Sequence, residues 1–279
     1  MTKDKSTEYF AVVDVETNWY NQVMSVGVVI GDAVGFNVAD SGYYVVHPEC
    51  DEGGMYSYAL RDVDGGTVTD CSRGEAIESI VRLLDRYGVN DIFAYNAPFD
   101  CKCLPELIGY VWRDILPVAA NRNFNSMLPD ECEYFATGLL KRGRGVQNVM
   151  RLIYRADYVE KHNGLTDAAD ELHLMRLIGQ PLSVYGEYRP KQAQTYESTA
   201  RKTPTKRREG SLLNNYRYVI DELCGGSVRL LDFSRENKIG TFSDCFYLQC
   251  SRCGYRWAQD AEDFFNRPVC PQCGKGVKG

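Results

Sequence analysis

Residues 9–30 read YFAVVDVETNWYNQVMSVGVVI, two runs of β-branched and aromatic residues on either side of an Asn-containing turn. Apolar stretches of this length and composition, bounded by turn residues, predict buried strands at 9–15 and 23–30, with the turn at 18–21. A third strand is expected over residues 38–46, closed by His47-Pro48. Further along, Ala76, Ile77, Ile80, Leu83, Leu84 and Tyr87 recur at helical spacing over residues 75–87, and Gly88 stops the run. Residues 91–95 read as a short apolar strand. A helix is expected over 100–111 despite Pro105, and two more near 146–154 and 166–178. Strands come first as a meander and then alternate with helices. That order predicts an α/β fold, a mixed sheet with helices packed on it.

The chain has 279 residues, 44% of them hydrophobic, enough for one large domain or one domain with a small appendage. No apolar run approaches the ~20 residues that span a bilayer. Residues 1–8 are charged and polar, and the apolar stretch behind them is broken at once by Asp14 and Glu16. The expectation is a cytoplasmic chain with neither signal peptide nor membrane contact. Eleven cysteines is an odd count in a chain too long for a disulfide scaffold. Cys50, Cys71, Cys101, Cys103, Cys132, Cys224 and Cys245 are scattered and read as free thiols.

The net charge of −6 is unevenly spread. Residues 189–208 carry Arg189, Lys191, Arg201, Lys202, Lys206, Arg207 and Arg208 against Glu197, a charge of +6 that leaves −12 on the rest. An acidic body with a basic strap suits a protein that gathers carboxylates around metal and holds phosphates elsewhere. A solvated linker without a partner accounts for the charge equally well. Periodicity is lost over residues 186–210, which are rich in Pro, Gln, Thr and Ser. The expected division is a first domain at 1–185, a basic linker at 186–211 and a small module at 212–279, too short for a strong core without a metal staple.

Asp14 and Glu16 stand two apart near the end of the first strand, so both project from one face while Val15 takes the other. Adjacent like charges need a cation between them, and hard oxygen ligands suit Mg²⁺ or Mn²⁺. Taken singly, a D-x-E is common by chance. The run Asn96-Ala97-Pro98-Phe99-Asp100 follows a strand and puts Asp100 at a helix start near the sheet edge, where ligands bind in open α/β sheets. By itself it reads as a turn and a cap. In residues 162–167, HNGLTD, Asn163 or Thr166 can cap a helix with Asp167 in its first turn. His162 stays in the loop, where it can accept a proton. Alone, His162 is a surface histidine and Asp167 a charge that suits the helix dipole. His173, on the helix, reads as structural.

Joint occurrence changes the weighting. VVDVET, NAPFD and HNGLTDAADEL, in this order at a strand, a strand-to-helix junction and a helix start, resemble the three motifs of the DnaQ-like exonucleases of the DEDDh class. All five active-site positions are filled, by Asp14, Glu16, Asp100, His162 and Asp167, and the resemblance covers roughly residues 8–180. It implies a ribonuclease-H-like fold and a 3′→5′ exonuclease that releases nucleoside 5′-monophosphates. It also implies two Mg²⁺ or Mn²⁺ ions: Asp14, Glu16 and Asp167 on the first, Asp14 and Asp100 supporting the second, and His162 as the base. A free 3′ end would bind beside Thr17 and the second strand. Residues 113–132 are polar and irregular where many relatives have a compact helical region, which bears on substrate choice.

Cys250-x-x-Cys253 and Cys270-x-x-Cys273, sixteen residues apart and each followed by a glycine, have the spacing of a structural four-thiolate Zn²⁺ site. Iron–sulfur or redox chemistry suits two symmetric knuckles less well. The surrounding sequence resembles zinc-ribbon modules of some phage and bacterial nucleic-acid enzymes. Arg252, Tyr255, Arg256 and Trp257 offer cations and aromatic faces for nucleic acid, although Trp257 reads better as the ribbon's own core. The sequence therefore points to an exonuclease acting on single-stranded 3′ ends of DNA in replication or repair. The alternatives are an exoribonuclease, a non-catalytic nucleic-acid-binding protein on the same fold, and a ribbon that recruits a protein partner.

Overall fold

The computed structural model describes residues 8–18, 20–52, 54, 56–57, 59–63, 66–156, 158–190, 216–217, 220, 224–238 and 241–274. Most of the basic strap and the linker lie outside these residues. The chain forms two compact units, residues 1–202 and 203–279.

The first unit is built on β1 (Tyr9–Thr17), β2 (Val23–Asp32) and β3 (Val38–His47), an antiparallel meander in which Asp14 lies opposite Gly27. A short β4 (Val68–Ser72) adds to β3 in parallel. α1 (Arg73–Tyr87) follows directly, opened by a capping box between Ser72 and Glu75 and ended by Gly88 at φ 60°. β5 (Asp91–Ala94) returns parallel to β1. After α2 (Ala97–Cys103) comes β6 (Val111–Asp114), parallel to β5, then α3 (Leu116–Ala119), α4 (Val146–Tyr154) and α5 (Gly164–Ile178). A two-residue β7 (Glu187–Tyr188) closes the sheet against β6. The strand order is β4-β3-β2-β1-β5-β6-β7. This is the mixed sheet flanked by helices expected of a ribonuclease-H-like fold.

Side-chain alternation along β1 sorts the core into two layers. Ala11, Val13 and Val15 face α1 and α2, with Ile80 and Leu84 among their neighbours. Phe10 and Val12 face α4 and α5, against Met150, Leu172 and Met175. Asp14 and Glu16 continue this second row. Among the described residues no helix is long and apolar enough to cross a membrane.

The helix expected over 100–111 is instead a seven-residue α2, a 3₁₀ turn at Pro105–Leu107 and the strand β6. Pro105 brings no N–H to continue the ladder, and the Tyr110-Val111-Trp112 run behind it has strand propensity. β7 lies within the stretch whose composition predicted a linker.

Helix α5 approaches the sheet unusually closely. A Cβ on Gly27 would sit 2.1 Å from the carbonyl carbon of Gly164, and one on Gly164 would meet Gly27 N at 2.9 Å and Asp14 O at 3.0 Å. Only glycine fits either position. Gly27→Ala should therefore destabilise the first unit at or above the upper end of the roughly 1–3 kcal/mol typical of overpacking. Gly74→Ala on α1, where an added Cβ meets nothing within 4 Å, is the control and should be neutral or slightly stabilising. Thermal unfolding of both variants is the measurement, and a wild-type melting temperature for Gly27→Ala would refute the close contact.

Candidate active site

Three elements deliver the acidic residues. β1 presents Asp14 and Glu16 from the row that faces α5. β5 ends in a Tyr95-Asn96 turn with Asn96 at φ 70°, and α2 then starts so that Asp100 falls in its first turn. Asn96 makes no capping hydrogen bond with its side chain. The turn is held from β6: Asp114 Oδ1 accepts the Asn96 N–H at 3.0 Å and the Leu116 N–H at 3.1 Å. α5 supplies Asp167 in its first turn. Its N-cap is Asn163, whose Oδ1 accepts the Leu165 and Thr166 N–H groups while its amide donates to Tyr43 Oη and Ala59 O, each at 3.0 Å.

His162 precedes that cap in a left-handed backbone conformation, φ 56°. Its ring stacks face to face on Tyr56, with centroids 3.7 Å apart and planes 11° from parallel. Nitrogen or oxygen atoms of Glu16, His162 and Asp167 lie within 4.8 Å of one another. Burial lowers the His162 pKa to about 4, so the imidazole is neutral near pH 7 and able to accept a proton.

The carboxylates are crowded and dry: Glu16 is 8% exposed, Asp100 2% and Asp167 2%. Burial, then the charge of Glu160, lifts Asp14 to about 7. Burial, then Asp14, lifts Asp167 to about 10. Glu16 and Asp100 rise well above the usual carboxylate range for the same two reasons, burial first and Asp14 second. Asp14 Oδ2, Asp100 Oδ1 and Asp167 Oδ1 are buried without a hydrogen-bond partner. Oxygens left bare in this way, on groups that repel one another, fit a hard divalent cation. The five residues picked from the sequence thus lie in one electrostatically connected place. His173 stands apart on the α5 surface, bonded to Tyr154 and Arg176.

Sequence reasoning passed over Glu171, Glu160, Asp114 and Tyr56. Glu171 is 2% exposed, accepts the Tyr95 N–H at 3.1 Å, and feels Asp14, Asp100 and Asp167. It lies one turn beyond Asp167 on the same helix face, a spacing that could have flagged it. Glu160 and Tyr56 come from irregular loops and carried no periodic signal. A separate His47, Cys50 and Asp51 group also brings possible ligand atoms together, but its imidazole is already held between Asp51 and Asp70, at 3.1 and 2.8 Å.

In the second unit, β8 (Val228–Lys238), β9 (Thr241–Cys250) and β10 (Arg256–Asp260) form an antiparallel sheet, followed by α6 (Ala261–Asn266). Val228, Leu230, Phe246, Leu248 and Phe264 make its core, and Trp257 packs against it. Tyr255 is 41% exposed and stacks on Trp257. The sulfurs of Cys250, Cys253, Cys270 and Cys273 converge, with Sγ···Sγ distances of 3.7 Å for Cys250–Cys273 and for Cys253–Cys270. Four thiolates around zinc with bonds of about 2.3 Å would stand about 3.8 Å apart. Gly254 and Gly274, at φ 74° and 66°, turn the two knuckles. Burial opposes ionisation of Cys250, yet the Cys253 and Arg252 N–H groups bring its thiol down to about 6.

No protein-family model matches the sequence, and no curated protein does. Among solved structures the chain is similar to DEDDh 3′-exonucleases. One is the nuclease domain of 3′hExo, a DEDDh family member, bound to rAMP, at 14% identity over 66% of this chain and 98% of that one, TM-score 0.46. Another is a 3′-exonuclease in 3′-end-specific recognition of a histone mRNA stem-loop, at 14% identity over 65% and 86%, TM-score 0.45. A third is E. coli exonuclease I in complex with a dA16 oligonucleotide, at 14% identity over 63% of this chain and 42% of that one, TM-score 0.41.

Proposed function

We propose that the first unit is a metal-dependent 3′→5′ exonuclease that hydrolyses DNA from a free, single-stranded 3′ end and releases nucleoside 5′-monophosphates. The observation that carries this reading is the set of bare, buried oxygens on Asp14, Asp100 and Asp167, with a His162 ring nitrogen within 4.8 Å of Glu16 and Asp167 oxygens. Asp14, Glu16 and Asp167 would hold one Mg²⁺ or Mn²⁺ ion, and Asp14 with Asp100 a second. Bound there, divalent cations would activate the attacking water and offset charge on the departing 3′-oxygen. His162 takes the proton from that water, and its contact with Tyr56 keeps the ring aimed at the acidic group. The buried walls exclude bulk water and strengthen each electrostatic contact. The second unit would carry one structural Zn²⁺ on its four cysteines and serve as a nucleic-acid clamp or a protein-docking module.

Substitution separates these roles. Asp14→Asn and Asp167→Asn should abolish cleavage of 5′-labelled oligonucleotides and weaken the thermal shift that Mn²⁺ produces. His162→Gln should lower the rate by about 10²–10⁴-fold, the usual worth of a general base, with the Mn²⁺ shift retained. Cleavage at wild-type rate by a well-folded Asp14→Asn would end the assignment, and cleavage of circular single strands would end the requirement for an end. Parallel RNA and duplex arms decide the substrate.

The same carboxylates set a pH dependence. Asp14 at about 7 and Asp167 at about 10 titrate above their unfolded value of about 3.9, so the native state binds the extra protons. Their stabilising contribution is complete below that unfolded value and is lost as pH rises through the folded values. Metal-free protein should melt lower at pH 8 than at pH 5.5, and Mg²⁺ or Mn²⁺ should raise the melting temperature more at pH 8. An ion-induced shift equal at both pH values would contradict this coupling of metal to protons.

A zinc-selective chelator should unfold the second unit and leave the circular dichroism of the first unit in place, because so small a core depends on its metal. One zinc per chain by elemental analysis, lost in Cys253→Ser, is the expected count.

A further inference from the structure

The acidic site poses a problem for a polyanionic substrate. The phosphates of a strand approaching Asp14, Glu16, Asp100, Asp167 and Glu171 find no cationic side chain among those five residues, so the strand needs cations close by. Six arginines of the first unit are already committed to carboxylates. Arg61, Arg73, Arg82, Arg86, Arg113 and Arg189 each face a carboxylate within 4.0 Å.

The sequence Lys141-Arg142-Gly143-Arg144-Gly145 differs. Lys141, Arg142 and Arg144 are exposed, and among the described residues they form no ion pair. Asp130, Glu131 and Glu133 precede them in sequence without pairing to them. The segment is also anchored. The Lys141 N–H donates to Glu133 O at 2.9 Å, and Leu140 bridges to Tyr134. Immediately beyond, α4 buries Val146, Val149 and Met150 in the core layer that faces the site. The Arg144 guanidinium lies 5.9 Å from the centre of the Phe135 ring, which is 46% exposed. One residue joins this loop to the carboxylates: Tyr95 donates its hydroxyl to Arg144 O and its N–H to Glu171 Oε2. The main chain at Arg144 therefore stands a single tyrosine side chain from the acidic group, on the same face of the sheet.

We infer that Lys141, Arg142, Arg144 and Phe135 form a track for a single nucleic-acid strand that leads into the site, with the cations on its phosphates and the phenylalanine face open to an unpaired base. The inference rests on the nuclease reading for its direction. Exposed cations beside an aromatic face are the combination that holds single strands without regard to sequence. It fits DNA and RNA alike, since both offer the same phosphates and base faces.

The test uses full-length, zinc-loaded protein carrying Asp14→Asn so that labelled dT and rU 20-mers survive. Adding Lys141→Ala, Arg142→Ala and Arg144→Ala together should weaken binding tenfold or more at low salt. The slope of log affinity against log salt should fall by about 2, from three phosphates at ~0.7 each. Arg82→Ala/Arg86→Ala on α1, across the sheet, should leave both unchanged. In the chain with Asp14 intact, the triple variant should raise KM for the 20-mer and leave kcat alone. Its hydrolysis of the 4-nitrophenyl ester of thymidine 5′-monophosphate should match wild type. Loss on one sugar or on both supports the track and identifies the strand it carries. Wild-type affinity and salt slope in the triple variant, or no oligonucleotide binding by the parent, overturns it. If the Asp14→Asn chain binds strands but the chain with Asp14 intact hydrolyses neither substrate, the nuclease reading fails while the track stands.

Discussion

The contact between Gly27 on β2 and Gly164 at the start of α5 governs the geometry around it. Where two backbones meet without side chains between them, a helix N-terminus can rest directly on a strand, and here it rests against the strand pair that carries Asp14. Asp167 follows within a turn, so its carboxylate has no room to be elsewhere than beside Asp14 and Glu16. Asn163 reinforces the placement, since the same side chain caps the helix and ties it to Tyr43 and Ala59. A larger residue at either glycine would lift the helix and separate charges that now lie together.

What gathers there is electrostatically unfavourable on its own. Buried carboxylates that raise one another's pKa, with oxygens that accept nothing, amount to a local conflict within an otherwise consistent fold. The rest of the first unit supplies the stability that lets the conflict persist: two apolar layers on either face of one sheet, a capping box on α1, and Asp114 latching two turns at once. Conflicts of this type mark places selected for chemistry rather than for stability.

Much of this was legible from residue order. β1, β2 and β3 announced themselves through β-branched runs, α1 and α4 through apolar spacing, and α5 through its cap. Asp14, Glu16, Asp100, His162 and Asp167 each read singly as ordinary strand, cap or loop residues, and it was the joint resemblance of VVDVET, NAPFD and HNGLTDAADEL to the DEDDh motifs that picked them out. The misreading at residues 100–111 arose because a seven-residue helix, a 3₁₀ turn and a four-residue strand are each too short for a periodic signal to resolve. β4 and β7 escaped for a similar reason, being set by pairing with neighbours rather than by their own composition. Tyr56 and Glu160 reach the site along loops, whose paths depend on tertiary contacts that local patterns do not encode. Glu171 was within reach, at one helical turn from a residue already singled out.

The brevity of the outermost strands has a bearing on solubility. β4 has five residues and β7 two, so the flanks of the sheet expose few unpaired backbone donors and acceptors. A long, flat flank is a template on which another chain can add a strand, the first step of ordered aggregation. Here β1 and β2, buried along most of their length, lie inside flanks too short to propagate pairing outward. The first unit can thus keep the buried β1–β2 hairpin at the centre of its sheet while the flanks offer neighbours little backbone on which to add a strand.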